Sequence, residues 1–353
     1  MIRSRFIFLI CLLLLLSGFI LESIDGSYGD MDYNFVYCSQ NLFREWCSKT
    51  VSSTPLRLLT NSIVPWSCAE ACEYECMSNI TSERVRRKLN IYKYYGHWPF
   101  IRYWGVEEIA SVIFSILNGI SHFCFAVQYL YRFAIWKSIG ETQTCSFMYN
   151  WIFFYSLSAI MAWAMSAIYH SKKTSESTKW DLIFALGVII SGLMLVIRKL
   201  LGPKVSIMVT YSLIIATAAL FAFRAQGIYD GNVSFDSHMK SCIILFTVTT
   251  VLWAYWAGFV GRKSLFDRFA WPSFQSPRWL CLLCNAWLLA AALLELFDFP
   301  PFLGIFDAHS LWHAATVPLG PLWYRFWALE MATEADPDED VTPIAYDIDK
   351  KEI

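Results

Sequence analysis

Three histidines, a serine and an aspartate in this sequence stand at spacings that suit metal-assisted hydrolysis. His309 and His313 are four apart in "DAHSLWHAAT", Ser166 and His170 are four apart in "AWAMSAIYHS", and Asp181 follows in "KWDLIFA". Residues at i and i+4 share one helix face about a turn apart, so each pair presents two polar groups to one side. Three imidazoles with a fourth position left to water make a catalytic zinc site, because zinc is borderline-soft and takes nitrogen ligands. A lone H-x-x-x-H is more often helix packing or a surface pair. The third histidine and the carboxylate are what point to Zn2+, with His170, His309 and His313 as ligands.

The elements that must bring these residues together are membrane spans. The chain has 353 residues, 56% of them hydrophobic and 16% charged, which is a membrane composition. A net charge of -1 and the lack of a basic stripe set nucleic acid aside as a partner. Charge-poor runs near 109–131, 147–169, 180–200, 205–224, 241–260, 279–299 and 308–329 predict an all-α membrane protein with a seven-transmembrane helix bundle. Pro318 and Pro321 interrupt the last run. With a luminal amino terminus, the cytosolic loops carry Arg132, Lys137, Arg198, Lys199, Lys204, Arg262, Lys263, Arg268 and Arg278. The luminal loops carry only Lys172, Lys173, Lys179 and Lys240, as the excess of basic residues on the cytosolic side requires. On this path span two ends at the lumen and spans three and seven start there. Ser166, His170, Asp181, His309 and His313 are therefore predicted at one membrane face, from three helices.

The flanks fit a secretory route. Arg3 and Arg5 precede the apolar run Phe6 to Leu16, which predicts a signal peptide over residues 1–24; an uncleaved anchor is the alternative, although the run is short for a span. Residues 25–105 then form a small luminal domain that holds Cys38, Cys47, Cys68, Cys72 and Cys76. An oxidising lumen makes disulfides the default over a metal site, and the odd count leaves one thiol over. Asn79 in "NIT" and Asn232 in "NVS" are glycosylation sequons on predicted luminal segments. The hydrolase domain is expected over 106–330. The tail, 331–353, ends "KKEI", placing Lys350 and Lys351 as a dilysine retrieval signal to be read by a cytosolic coat.

Other ionisable groups inside or beside the spans have plainer readings. His122 reads as a hydrogen-bonded core histidine, His97 as an ordered loop residue and His238 as exposed. Cys281 and Cys284 read as packing. Glu295 and Asp298 are either partners that orient a ligating histidine or a helix end meeting headgroups.

The joint pattern of Ser166, His170, Asp181, His309 and His313 resembles the CREST superfamily of seven-span metal-dependent hydrolases. Within it, "CEYECM", "HWPF", "LNGI", "AIYHS" and "LLELFDFPPFLGIFDAHSLWH" resemble the post-GPI attachment to proteins factor 3 family over residues 30–330. That resemblance implies a phospholipase A2-like enzyme that removes the sn-2 acyl chain from GPI-anchored proteins in endoplasmic reticulum or Golgi membranes. It also implies zinc on His170, His309 and His313, with Ser166 and Asp181 as polar partners. Asp181 is then expected to act as general base or to orient the water, and Ser166 to donate to the oxyanion or position the water. This chain departs from the family at Leu42, where a further cysteine is usual between Cys38 and Cys47, so the pairing of the cysteines stays open. The rival readings are a ceramidase-like lipid amidase and a seven-span receptor or cargo-binding protein with structural zinc.

Overall fold

A computed structural model of the protein describes residues 28–47, 62–138, 148–260, 276–295 and 297–335. The segment expected to be a signal peptide, Lys350 and Lys351 of the tail and most of the predicted loop cations beyond residue 260 lie outside the described residues. Among those described there are helices and isolated bridges but no strand.

Two helices build the N-terminal region, α1 (Tyr33–Trp46) and α2 (Cys68–Arg86). Asp32 caps α1 by accepting from the amides of Asn34 and Phe35. Ser67 and Glu70 form a reciprocal capping box at the start of α2, which satisfies amides that would otherwise lack partners. Disulfides Cys38–Cys76 and Cys47–Cys68 staple the two helices. Cys72 does not pair; it is buried, with its sulfur 3.6 Å from that of Cys47 and Leu42 packed against the same cluster. A side chain without sulfur at 42 leaves Cys72 as the leftover thiol. Asn79, on α2, and Asn232 are both exposed.

The bundle follows as α3 (Ile109–Ser138), α4 (Tyr149–Ser171), α5 (Ser175–Leu201), α6 (Ile207–Tyr229), α7 (Phe235–Tyr255, continued by a π-helical turn over Trp256–Val260), α8 (Pro277–Glu295), α9 (Ala308–Thr316) and α10 (Leu319–Ala335). Six of them, α3 to α8, are long and apolar enough to cross a membrane. The predicted seventh run forms as two helices, α9 and α10. Pro318 lacks the amide hydrogen that would continue the ladder, and the turn closes instead through the Val317 amide on the Ala314 carbonyl.

Two starts differ from the expected spans. Thr174 and Ser177 form a capping box that begins α5 at Ser175 rather than near 180, so Asp181 sits in the second turn instead of the first. Ser234 caps α7 at Phe235 instead of 241, accepting from the Ser237 amide. His238 is thereby drawn into the helix and buried against Cys242, not exposed as expected.

Aromatic packing centres the bundle: Trp253, Trp256, Phe326 and Trp327 are buried together with Leu195, Cys281 and Cys284. His122 bonds the Tyr324 hydroxyl at 2.7 Å within this interior. By contrast, Ile228 is the only buried residue of α6. An apolar helix with so little protein cover is suited to lipid on nearly every side.

Candidate metal centre

Asp307 fixes the helix that carries two of the histidines. Its carboxylate accepts from the Ser310 amide at 2.8 Å and the Ser310 hydroxyl caps in return, so α9 starts at Ala308, one residue before His309. From there His309 and His313 project to one side, with Nε2 atoms 2.9 Å apart. His170, in the last turn of α4, brings its Nε2 to 3.3 Å from that of His309. One ring nitrogen from each of the three lies within 4.8 Å of the others. His170 and His313 are 2% and 1% exposed, so these nitrogens have been taken out of bulk water and need a partner there.

The rings are held from behind. His170 donates from Nδ1 to Glu108 at 2.6 Å, and Glu108, itself buried, also pairs with Lys173. His313 Nδ1 lies 3.0 Å from the Ser115 hydroxyl, and Ser115 lies 3.1 Å from Ser166. Asn118 donates to the His313 carbonyl at 2.9 Å. Trp163 and Trp312 wall the cluster, their rings 5.3 Å from His313 and 5.5 Å from His309. Asp181 is half-buried on α5, within electrostatic range of His309. Ser166 and the three histidines thus come together, with Asp181 in electrostatic range; Ser115 and Asn118 join them from α3 and Glu108 from the residue just before it, none of which the sequence reading had assigned to the site.

Two candidates go elsewhere. Asp298 accepts from the Trp98 indole at 2.8 Å and pairs with Lys93, which ties it to the N-terminal region and not to a histidine. The side chain of Glu295 falls outside the described residues. Cys47, Cys68 and Cys72 also cluster, but the disulfide between the first two occupies the sulfurs a metal would need.

The N-terminal region sits directly on this end of the bundle. Arg102 pairs with Glu107 at 2.8 Å, and its guanidinium lies over the Trp66 and Tyr74 rings at 3.9 and 4.5 Å. Glu107 in turn accepts from the Lys173 amide at 2.6 Å. Lys172 reaches the Pro65 carbonyl and Glu70. Partial burial pushes the Glu70 carboxyl up, but the Ser67 amide and Lys172 outweigh it and hold the group below its usual range. Gly304, at φ +70, brings its carbonyl to 2.9 Å from the Ile101 amide, an approach a side chain there would block.

The Per1-like family profile matches residues 58–331, most of the chain and all of this site. The chain belongs to the Per1-like family. Relatives support this along nearly the whole length. "GPI-specific phospholipase A2-like PGAP3" of Danio rerio is 31% identical, covering 85% of this chain and 89% of that protein. "Post-GPI attachment to proteins factor 3" of Drosophila melanogaster is 29% identical over 89% and 92%. "Protein PER1 homolog" of Schizosaccharomyces pombe is 29% identical over 86% and 87%. No solved structure matches.

The donor set of this Per1-like chain suits zinc. Bonds of about 2.0–2.1 Å in a tetrahedron separate ligand nitrogens by about 3.3 Å, against the 2.9 and 3.3 Å observed for the two Nε2 pairs. Two of the histidines also have a partner on Nδ1, the arrangement that fixes a ligating imidazole.

Proposed function

We propose that this chain is a zinc-dependent, phospholipase A2-like hydrolase that removes the sn-2 acyl chain from the lipid of GPI-anchored proteins, in endoplasmic reticulum or Golgi membranes. The observation that carries the reading is the convergence of His170, His309 and His313 beside Ser166 and Asp181 at the end of the bundle covered by the N-terminal region. The substrate class is taken from the names of the relatives, which speak of GPI-specific phospholipase A2-like activity and of GPI attachment.

His170, His309 and His313 would hold the ion through ring nitrogens that face one another. Zinc bound there supplies Lewis acidity at the ester carbonyl and acidifies water. Asp181 takes the proton of the attacking water. No donor among the described residues reaches its carboxylate, so its oxygens are not committed elsewhere. Ser166 donates its hydroxyl to the oxygen that gains charge in the tetrahedral transition state. A serine nucleophile fits less well, because the group within hydrogen-bond reach of Ser166 is another serine and not a base. Glu108 keeps the His170 ring oriented, and Trp163 and Trp312 keep water from one side. Retrieval through Lys350 and Lys351 by a cytosolic coat, and glycans on Asn79 and Asn232, complete the proposal for a luminal N terminus.

The test is to express wild type and His313→Ala in cells lacking their own remodelling activity and to analyse the GPI lipids by mass spectrometry. Wild type is expected to restore sn-2 deacylation, and the variant, at equal abundance, not to. Restoration by both would overturn the metal assignment. If neither alters the anchor lipid, an amidase acting on sphingolipids or a ligand-binding protein replaces this reading.

A further inference from the structure

Hydrogen-bond accounting around Ser115 gives each hydroxyl of the site a direction. Ser115 is fully buried, and two groups lie within hydrogen-bond reach of its oxygen: His313 Nδ1 at 3.0 Å and Ser166 Oγ at 3.1 Å. If His313 presents Nε2 to a metal, as proposed above, its proton must be on Nδ1, and Ser115 is the acceptor of that N–H. The Ser115 hydroxyl then has its own proton to place. Leaving a buried O–H unpaired costs about 1–3 kcal/mol, and the remaining neighbour is Ser166, which therefore accepts. Ser166 is the less deeply buried of the two serines, and its own proton is left free to turn toward a substrate.

We infer that Ser115 is a positioning residue that couples His313 to Ser166, in the order His313 Nδ1–H to Ser115 O–H to Ser166 O–H. The chain of donors has two consequences. Ser115 fixes the tautomer of one ligand, and it turns Ser166 into a donor toward substrate with one of its two lone pairs already engaged. Ser166 is thereby set up to stabilise an oxyanion, and the hydrogen bond it accepts from Ser115 makes its oxygen a weaker nucleophile. Neither consequence follows from the five residues prominent in the sequence, because Ser115 lies 51 positions from Ser166 and 198 from His313.

This inference rests on the zinc reading, so the experiment measures metal as well as turnover. Wild type, Ser115→Ala, Ser166→Ala, the double variant and Ser115→Thr are purified in detergent, checked for monodispersity, and titrated with zinc against a chromophoric chelator. Release of fatty acid from a GPI lipid is followed in parallel. Ser115→Ala removes one oxygen and leaves the helix intact, and Ser115→Thr restores the hydroxyl. The expected result is zinc affinity weakened about 10–100-fold in Ser115→Ala and recovered in Ser115→Thr. Ser166→Ala, costly in the wild-type background, should cost less than about 3-fold more once Ser115 is alanine, since coupled residues are non-additive. Unchanged zinc affinity in Ser115→Ala, or rate losses that simply multiply, would overturn the inference while leaving the metal site standing. A wild-type chain that takes no zinc removes the metal reading and this inference together.

Discussion

At the scale of single residues, the site is two layers deep, and the outer layer comes from one helix. Glu108, Ser111, Ser115, Asn118 and His122 are spaced 3, 4, 3 and 4 apart and all are buried. They form a polar stripe along α3 and the residue before it, of which Glu108, Ser115, Asn118 and His122 hold His170, His313 and Tyr324. Glu108→Gln should weaken zinc affinity about 10–100-fold, as loss of a carboxylate behind a ligating histidine typically does; competition titration against a chelator reads it. An affinity equal to wild type would show that Glu108 does not serve the metal. The histidines were legible in the sequence because a pair at i and i+4 declares its shared face. Glu108 was not, because it lies one residue outside the first apolar run and gains meaning only from a contact 62 positions away. The stripe itself could have been found: polar residues at helical spacing inside an apolar run face the bundle interior.

Helix boundaries decide where those residues stand. The break at Pro318 gives the bundle a short α9 that carries histidines and a separate α10 that packs on α3. The approach is close: a side chain on Gly320 would meet the Ser121 oxygen at 2.0 Å. Gly320→Val should therefore push α10 from α3 and destabilise the fold by about 1–3 kcal/mol, seen as a lower midpoint in thermal unfolding of the detergent-solubilised chain. No change in midpoint would mean that α10 moves at no cost. Run lengths and apolarity placed the six long helices, since both are local properties, but not the division of the last run into α9 and α10. The early starts of α5 and α7 were missed because Thr174 with Ser177, and Ser234, are caps set in polar sequence just outside the apolar runs. The two consequences were Asp181 one turn deeper and His238 buried.

For the whole molecule, the N-terminal region acts as a clamp on the end of the bundle that holds the site. Arg102, stacked between Trp66 and Tyr74 and paired with Glu107, is its centre. Arg102→Ala leaves Glu107 largely buried without its ion partner and should cost about 3 kcal/mol, with faster proteolysis of the N-terminal region as the readout. Proteolysis at the wild-type rate would place the clamp elsewhere. The cysteine count announced disulfides and a leftover thiol, yet connectivity is a property of the folded chain, and only the packing of α1 on α2 selects Cys38–Cys76 and Cys47–Cys68. The docking of this region was likewise invisible, since nothing in the spacing of Arg102, Glu107 and Lys172 links them to one another or to Trp66 and Glu70. The activity proposed for this chain depends on His170, His309 and His313 holding a zinc ion for lipid-ester hydrolysis. Its most direct test is elemental analysis of the purified chain in detergent, with fatty-acid release from a GPI lipid measured before chelation, after it and after zinc is returned. The expected result is about one zinc per chain, activity lost with the metal and regained with it, and neither metal nor activity in His313→Ala. Full activity in the metal-free chain would contradict it.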